Sequence, residues 1–167
     1  MPIMPIKIYG SEVLREKAEA IPELTGEVRQ LVGWMKESMY YHQGVGLAAN
    51  QVGIAKRLFV ADDGNGFRAF INPAIVETDA RAEAEEGCLS LPGIYVDIGR
   101  ASRITVEYLD QDGEQRRLDA EGLLARIIQH ELDHLDGVLI SDRAGFLARK
   151  MMAGKLKKLA RRAREIL

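Results

Sequence analysis

Residues 119–137 run Asp119-Ala120-Glu121-Gly122-Leu123-Leu124-Ala125-Arg126-Ile127-Ile128-Gln129-His130-Glu131-Leu132-Asp133-His134-Leu135-Asp136-Gly137, and two patterns are superimposed on them. At about 100° per residue, Leu124, Ile128, Leu132 and Leu135 gather into an apolar stripe of the kind a helix turns towards a core. Leu123, Ile127, His130 and His134 form a second face, within roughly 60° of one another. Glu131 falls beside the imidazoles, near 80° on the same scale. A helix with a purely structural task has no use for that second face. Histidines four apart on a helix can reach one ion. The segment therefore predicts a helix from about Asp119 to Leu135, closed by Gly137 and presenting part of a metal site.

The flanking sequence supplies the other elements. Thr25 offers a side-chain cap for a helix in which Val28, Leu31, Val32, Met35 and Met39 recur at helical spacing, ending near Tyr41 to Gly44. Strand-like runs follow at Arg57 to Ala61, Ala69 to Ile75, Arg103 to Leu109 and Gln115 to Leu118. Turn residues Asp62-Asp63-Gly64-Asn65-Gly66 and Gln111-Asp112-Gly113 separate them, and the last pair reads as a hairpin. A final helix covers roughly Phe146 to Ile166. This order predicts an α+β fold, with mostly antiparallel sheets packed around a central HExxH helix and a C-terminal helix.

Composition narrows the class. With 167 residues, 47% hydrophobic and 29% charged, the chain reads as one folded domain spanning 1–167, and disorder is excluded. No apolar run approaches the ~20 residues of a membrane span. The opening Met1-Pro2-Ile3-Met4-Pro5-Ile6 has neither the basic start nor the long apolar stretch of a secretory leader. A lone cysteine, Cys88, cannot form an internal disulfide, so the expected compartment is the cytoplasm. Charge is unevenly spread. Residues 149–167 carry eight Lys or Arg against one Glu, a net of +7, while the whole chain is −2, leaving −9 for residues 1–148. The basic end is expected either to meet an anionic partner or simply to be a solvated helix.

Two histidines do not complete a catalytic metal site, which takes three protein ligands and leaves a position open. Downstream stand Asp136, Asp142 and Glu165 but no further histidine. Upstream, Cys88 sits in Glu85-Glu86-Gly87-Cys88-Leu89-Ser90-Leu91-Pro92, on a segment expected to run along an exposed edge. It is either a ligand or a small buried core residue. His42 stands alone in a polar loop and is read as facing solvent. The string Gly44-Val45-Gly46-Leu47-Ala48-Ala49-Asn50-Gln51 contains G-x-G-x-x-A, but a dinucleotide fingerprint needs a strand before it and a helix after it. Here the order is reversed. The glycines then let backbone approach a ligand closely, with Gln51 offering an amide donor nearby. Leu123 and Ile127, on the imidazole face, would line an apolar pocket that Val45 closes.

Three segments in order, Gly44 to Gln51, Glu86 to Ser90, and Gln129 to Gly137, resemble the peptide deformylase family, and Tyr9 to Arg15 resembles its opening. The likeness spans about Ile6 to Asp142. It implies Cys88, His130 and His134 as metal ligands, with Fe²⁺ bound and Ni²⁺, Co²⁺ or Zn²⁺ able to substitute. It implies Glu131 as the catalytic acid/base, Gln51 and the backbone N–H of Leu89 as oxyanion donors, and Gly46 as a backbone contact to substrate. The implied reaction is hydrolysis of the formyl group from N-formyl-methionyl nascent peptides, releasing formate. Docking of the basic end on the ribosome would fit the same setting. Two other readings stay open on the residues: another HExxH amidase or endopeptidase, and a metal-stapled binding module without catalysis.

Overall fold

The computed structural model describes residues 2–166. Its elements are α1 (Gly26–Tyr41), β1 (Gly46–Ala48), β2 (Leu58–Asp62), β3 (Phe67–Asp79), β4 (Ala82–Gly87), β5 (Tyr95–Arg100), β6 (Arg103–Leu109), β7 (Gln115–Glu121), α2 (Gly122–Leu135), α3 (Ile140–Arg143) and α4 (Phe146–Ile166). Short 3₁₀ turns occupy Glu12–Arg15 and Ala49–Val52. The strands form a five-stranded sheet in the order β1-β2-β3-β6-β7 and a separate β4-β5 ribbon, every pairing antiparallel. The expected α+β architecture, built around the HExxH helix α2, is the observed one.

Alternation along β2 explains the layers. Leu58 and Val60 point to α1, where Leu31, Val32, Met35 and Met39 meet them. Phe59 and Ala61 point the other way, to Phe70, Val106 and the α2 residues Leu124, Ile128 and Leu135. Side chains alternate across a strand, so one run of apolar residues joins two cores. A third core holds Val96 and Ile98 of β5, Ile8 and Leu14 of the N-terminal segment, and Met152, Leu156 and Leu159 of α4. The basic helix is thus no appendage. One stripe of it is buried, while its lysines and arginines face outward.

Local chemistry accounts for most boundaries. Thr25 caps α1 by accepting from the Val28 N–H at 3.3 Å. The start of α2 lies three residues later than expected, because Asp119, Ala120 and Glu121 remain paired to β6 as the end of β7. β1, β4 and β5 were not anticipated. β1 is only three residues long, and β4 is built from Ala and Glu, which favour strands weakly. His42 corrects its reading: it is the half-buried C-cap of α1, with its ring Nε2 3.1 Å from the Met4 carbonyl.

Gly137 ends α2 in the left-handed region, at φ +75°, and a Cβ there would lie 2.6 Å from the Arg15 carbonyl oxygen. Both the backbone angle and the contact demand glycine. Gly137→Ala is therefore expected to lower stability by ~2 kcal/mol or more, visible as a reduced denaturation midpoint. An unchanged midpoint would mean that the turn and the Arg15 segment relax freely.

Candidate metal centre and catalytic cleft

Cys88 follows β4 directly and opens a turn closed by the Leu91 N–H to the Cys88 carbonyl at 3.0 Å. The turn holds the thiol half-buried against α2, away from the exposed edge expected for it. Its Sγ is 3.3 Å from His134 Nε2, and Cys88, His130 and His134 each place one donor atom within 4.8 Å of the others. Among the described residues this is the group of three His, Cys or carboxylate side chains so disposed. One sulfur and two imidazoles suit a divalent ion of the later first-row metals and leave a position for a reactant. Burial, with the positive charges of His130 and Arg100, holds His134 well below the usual imidazole range, so it is neutral as a ligand must be.

Glu86 orients His130. Its Oε1 is 2.9 Å from His130 Nδ1. An ionised carboxylate only accepts, so Nδ1 carries a proton, and Nε2 is the ring atom that would offer its lone pair to an ion in exchange for its own proton. Arg100 grips the same carboxylate at 2.6 and 2.9 Å, and Arg126 adds a second guanidinium. Arg100 also reaches Asp133 at 2.9 Å, and Asp133 is held in turn by Arg143. Burial alone would raise the Glu86 pKa. Hydrogen bonds from His130 and Arg100 outweigh it and pull the pKa down to about 2.

Glu131 is treated oppositely. It is buried, Oε2 has no protein partner among the described residues, and burial pushes its pKa up to about 7 despite the charges of His130 and Arg100. β1 passes so close that a Cβ on Gly46 would stand 2.9 Å from Glu131 Oε1 and 2.9 Å from Ile127 Cγ2. Here the glycine's use is to let backbone lie against the protein's own carboxylate. Gln51 is nearly fully buried. Its Oε1 accepts from the Ala48 N–H at 2.9 Å, and its Nε2 lies 3.7 Å from Cys88 Sγ.

A cleft of about 530 Å³ opens over this cluster. Val45, Gly46, Gln51, Cys88, Leu89, Leu123, Ile127, His130 and Glu131 all line it, and His134 lies just behind, against Cys88. All the site residues expected from sequence therefore meet in one place. Reading the sequence missed Glu86, Arg100 and Arg126 as parts of the site. A signal existed in β5, where Val96, Ile98 and Arg100 share the buried face: an arginine continuing an apolar face needs a buried acid partner.

The pattern of the family described as polypeptide deformylase matches residues 3–150. A peptide deformylase of Thermotoga sp. (strain RQ2) is 47% identical over 157 residues, covering 93% of this chain and 96% of that one. The crystal structure of the peptide deformylase from Thermus thermophilus superposes with a TM-score of 0.91 at 41% identity, covering 96% of this chain and 99% of that one.

The chain belongs to the polypeptide deformylase family.

A further relative, the peptide deformylase from Synechococcus elongatus in complex with actinonin, superposes with a TM-score of 0.87 at 42% identity, covering 93% of this chain and 87% of that one. As a polypeptide deformylase the chain is a hydrolase that removes the formyl group from newly made polypeptides. The family is one of metalloenzymes, and the Cys88–His130–His134 cluster is the candidate ion site.

The depressed pKa of Glu86 has a pH consequence with a definite sign. A carboxylate whose folded pKa lies below its unfolded one stabilises the fold above the unfolded value, and the gain is lost as pH falls through the folded value. For Glu86 the window runs from its ordinary 4.5 down to about 2. Glu86→Gln should be less stable at pH 7, and its loss of stability across that window should be shallower than that of the parent. Thermal melts between pH 7 and 2.5 check this, and parallel curves would refute it.

Proposed function

We propose that Cys88, His130 and His134 hold a divalent ion, ferrous iron with nickel, cobalt or zinc able to replace it. Glu131, Gln51 and the Leu89 N–H then act on an N-formyl-methionyl end lying in the adjoining cleft. The observation that carries this reading is the convergence of a sulfur–imidazole cluster, a buried carboxylate with a pKa of about 7 and an oriented amide on one partly apolar cleft. When bound, the ion supplies Lewis-acid activation of water and of the formyl carbonyl.

The chain's own residues do the rest. A carboxyl group poised near neutrality can take a proton from the attacking water and return it to the departing amine. Glu131 has that poise, and its unpartnered Oε2 is free to accept. The Gln51 Nε2 and Leu89 N–H are assigned to the oxygen that gains charge as the carbonyl carbon becomes tetrahedral, worth about 3 kcal/mol per donor in comparable sites. Val45, Leu123 and Ile127 give apolar walls that suit an unbranched methionine side chain. Discrimination of this kind is graded, at ~1–3 kcal/mol per methylene. β1 is the edge strand of its sheet, so the backbone beside Gly46 can pair with an extended peptide. Residues 1–167 are read as one catalytic unit working in the cytoplasm, where nascent chains emerge. No described helix is long and apolar enough to cross a membrane.

Glu131→Gln should keep the ion at one equivalent and lose activity by orders of magnitude, whereas Cys88→Ala should lose the ion. Metal analysis beside formate release separates the two. Near-normal turnover of Glu131→Gln, or full metal content in Cys88→Ala, would overturn the assignment concerned.

The outward face of α4 supports docking on the ribosome. Lys157, Lys158, Arg161 and Arg162 are exposed there, and Phe146, Leu147 and Met151 are exposed at the helix start. Because the opposite stripe is part of the core, charge reversal is the sound test, not truncation. Replacing those four cations by Glu should weaken ribosome binding and flatten its salt dependence while small formyl-peptides are still hydrolysed at the parental rate. Unchanged ribosome affinity would make α4 a solvated helix only.

A further inference from the structure

Ser90 lies two residues beyond Cys88 on the turn that presents the thiol, and it is fully buried. Its main-chain carbonyl accepts from the Tyr9 N–H at 2.8 Å, which ties the turn to the N-terminal segment. Its hydroxyl does something more specific. Ser90 Oγ accepts a hydrogen bond from Gln51 Nε2 at 3.1 Å.

A side-chain amide has one acceptor oxygen and two N–H groups fixed in a plane. The Ala48 N–H can only donate, so the atom it meets at 2.9 Å must be the Gln51 oxygen. That settles which end of the amide is nitrogen. With one N–H given to Ser90, the direction of the other is set by the planar geometry: Nε2 donates to Cys88 Sγ at 3.7 Å, which holds that N–H at the ion cluster, where the reacting oxygen would compete for it. Two anchors, one on each end of the amide, thus aim a single N–H. Donors that stabilise developing charge do so because they are already oriented before the reaction begins.

We propose that Ser90 is a positioning residue for the reaction: its hydroxyl engages one N–H of Gln51 so that the other is held towards the oxygen that becomes negative. This deepens the reading of Gln51 as an oxyanion donor and rests on it. Ser90 itself touches neither substrate nor ion in this role. Removing the hydroxyl leaves the donor present but free to turn, a smaller loss than the 10²–10³-fold in kcat typical of deleting such a donor.

The test is a double-mutant cycle on the metal-loaded enzyme with Ser90→Ala, Gln51→Ala and the pair, joined to the NMR signals of the Gln51 side-chain amide in the zinc-loaded form. Ser90→Ala should lower kcat about tenfold with KM within about twofold, the share of a loosened rather than lost donor. In the Gln51→Ala background the same change should cost less than about twofold, the limit of a coupled pair. The two Nε2 proton signals of Gln51 should move together towards the values of a free amide. Unchanged kcat in Ser90→Ala, equal losses in both backgrounds, or unmoved amide signals would each overturn the proposal while leaving Gln51 in place. Should Ser90→Ala reduce the yield of folded protein, the amide signals of the folded fraction decide. A Gln51→Ala enzyme with parental kcat would instead remove Gln51 from the reaction, and Ser90 with it.

Discussion

A buried carboxylate held between two guanidinium groups and an imidazole joins the two bodies that make this site. Glu86 belongs to the β4-β5 ribbon, whereas His130 and Arg126 belong to α2. The proposed ion ligands are divided in the same way, with Cys88 after β4 and both histidines on α2. Whatever fixes ribbon against helix also fixes sulfur against imidazole. Removing one partner of such a buried network costs ~3–5 kcal/mol, because the charges left behind are stripped of both water and counterion. That penalty disfavours any arrangement in which the ribbon slides. Arg126 adds bonds to the carbonyls of Ala82 and Ile98, one on each strand of the ribbon.

Around that junction two carboxylates of one chemical kind are driven apart. Glu86 is surrounded by cations and stays ionised at any working pH, a fixed acceptor for His130. Glu131 is enclosed with little compensation and sits near neutrality, able to change its proton count. The difference arises from neighbours and burial alone. Dry packing on the other side comes from Gly46, whose missing side chain lets the edge strand press against Glu131 and Ile127.

The fold was legible wherever a period was long enough to read. Helices α1 and α2 announced themselves by apolar spacing and caps, and β2, β3 and β6 by apolar runs between turns, while the Gln111-Asp112-Gly113 turn marked β7 as the hairpin partner of β6. The ribbon was hidden because Ala82 to Gly87 reads as a surface stretch of Ala and Glu in which Glu86 alone is buried, and the rest of its burial comes from Val96, Ile98 and Arg100 across the strand pair. The candidate ligands were within reach because Cys88, His130 and His134 are rare residue types in telling positions. Glu86 and Ser90 are common types, and their partners lie on other elements. Nothing in the local sequence distinguishes a glutamate that meets Arg100 and His130 from the exposed Glu85 beside it.

The central claim is that this cleft hydrolyses a formyl amide using an ion held by Cys88, His130 and His134. Formate release tests it most directly. The protein would be loaded anaerobically with Fe²⁺, its ion content measured, and formyl-Met-Ala-Ser and acetyl-Met-Ala-Ser offered side by side. The predicted result is formate from the formyl peptide and no deacylation of the acetyl one. No formate from protein carrying one ion per chain would contradict it.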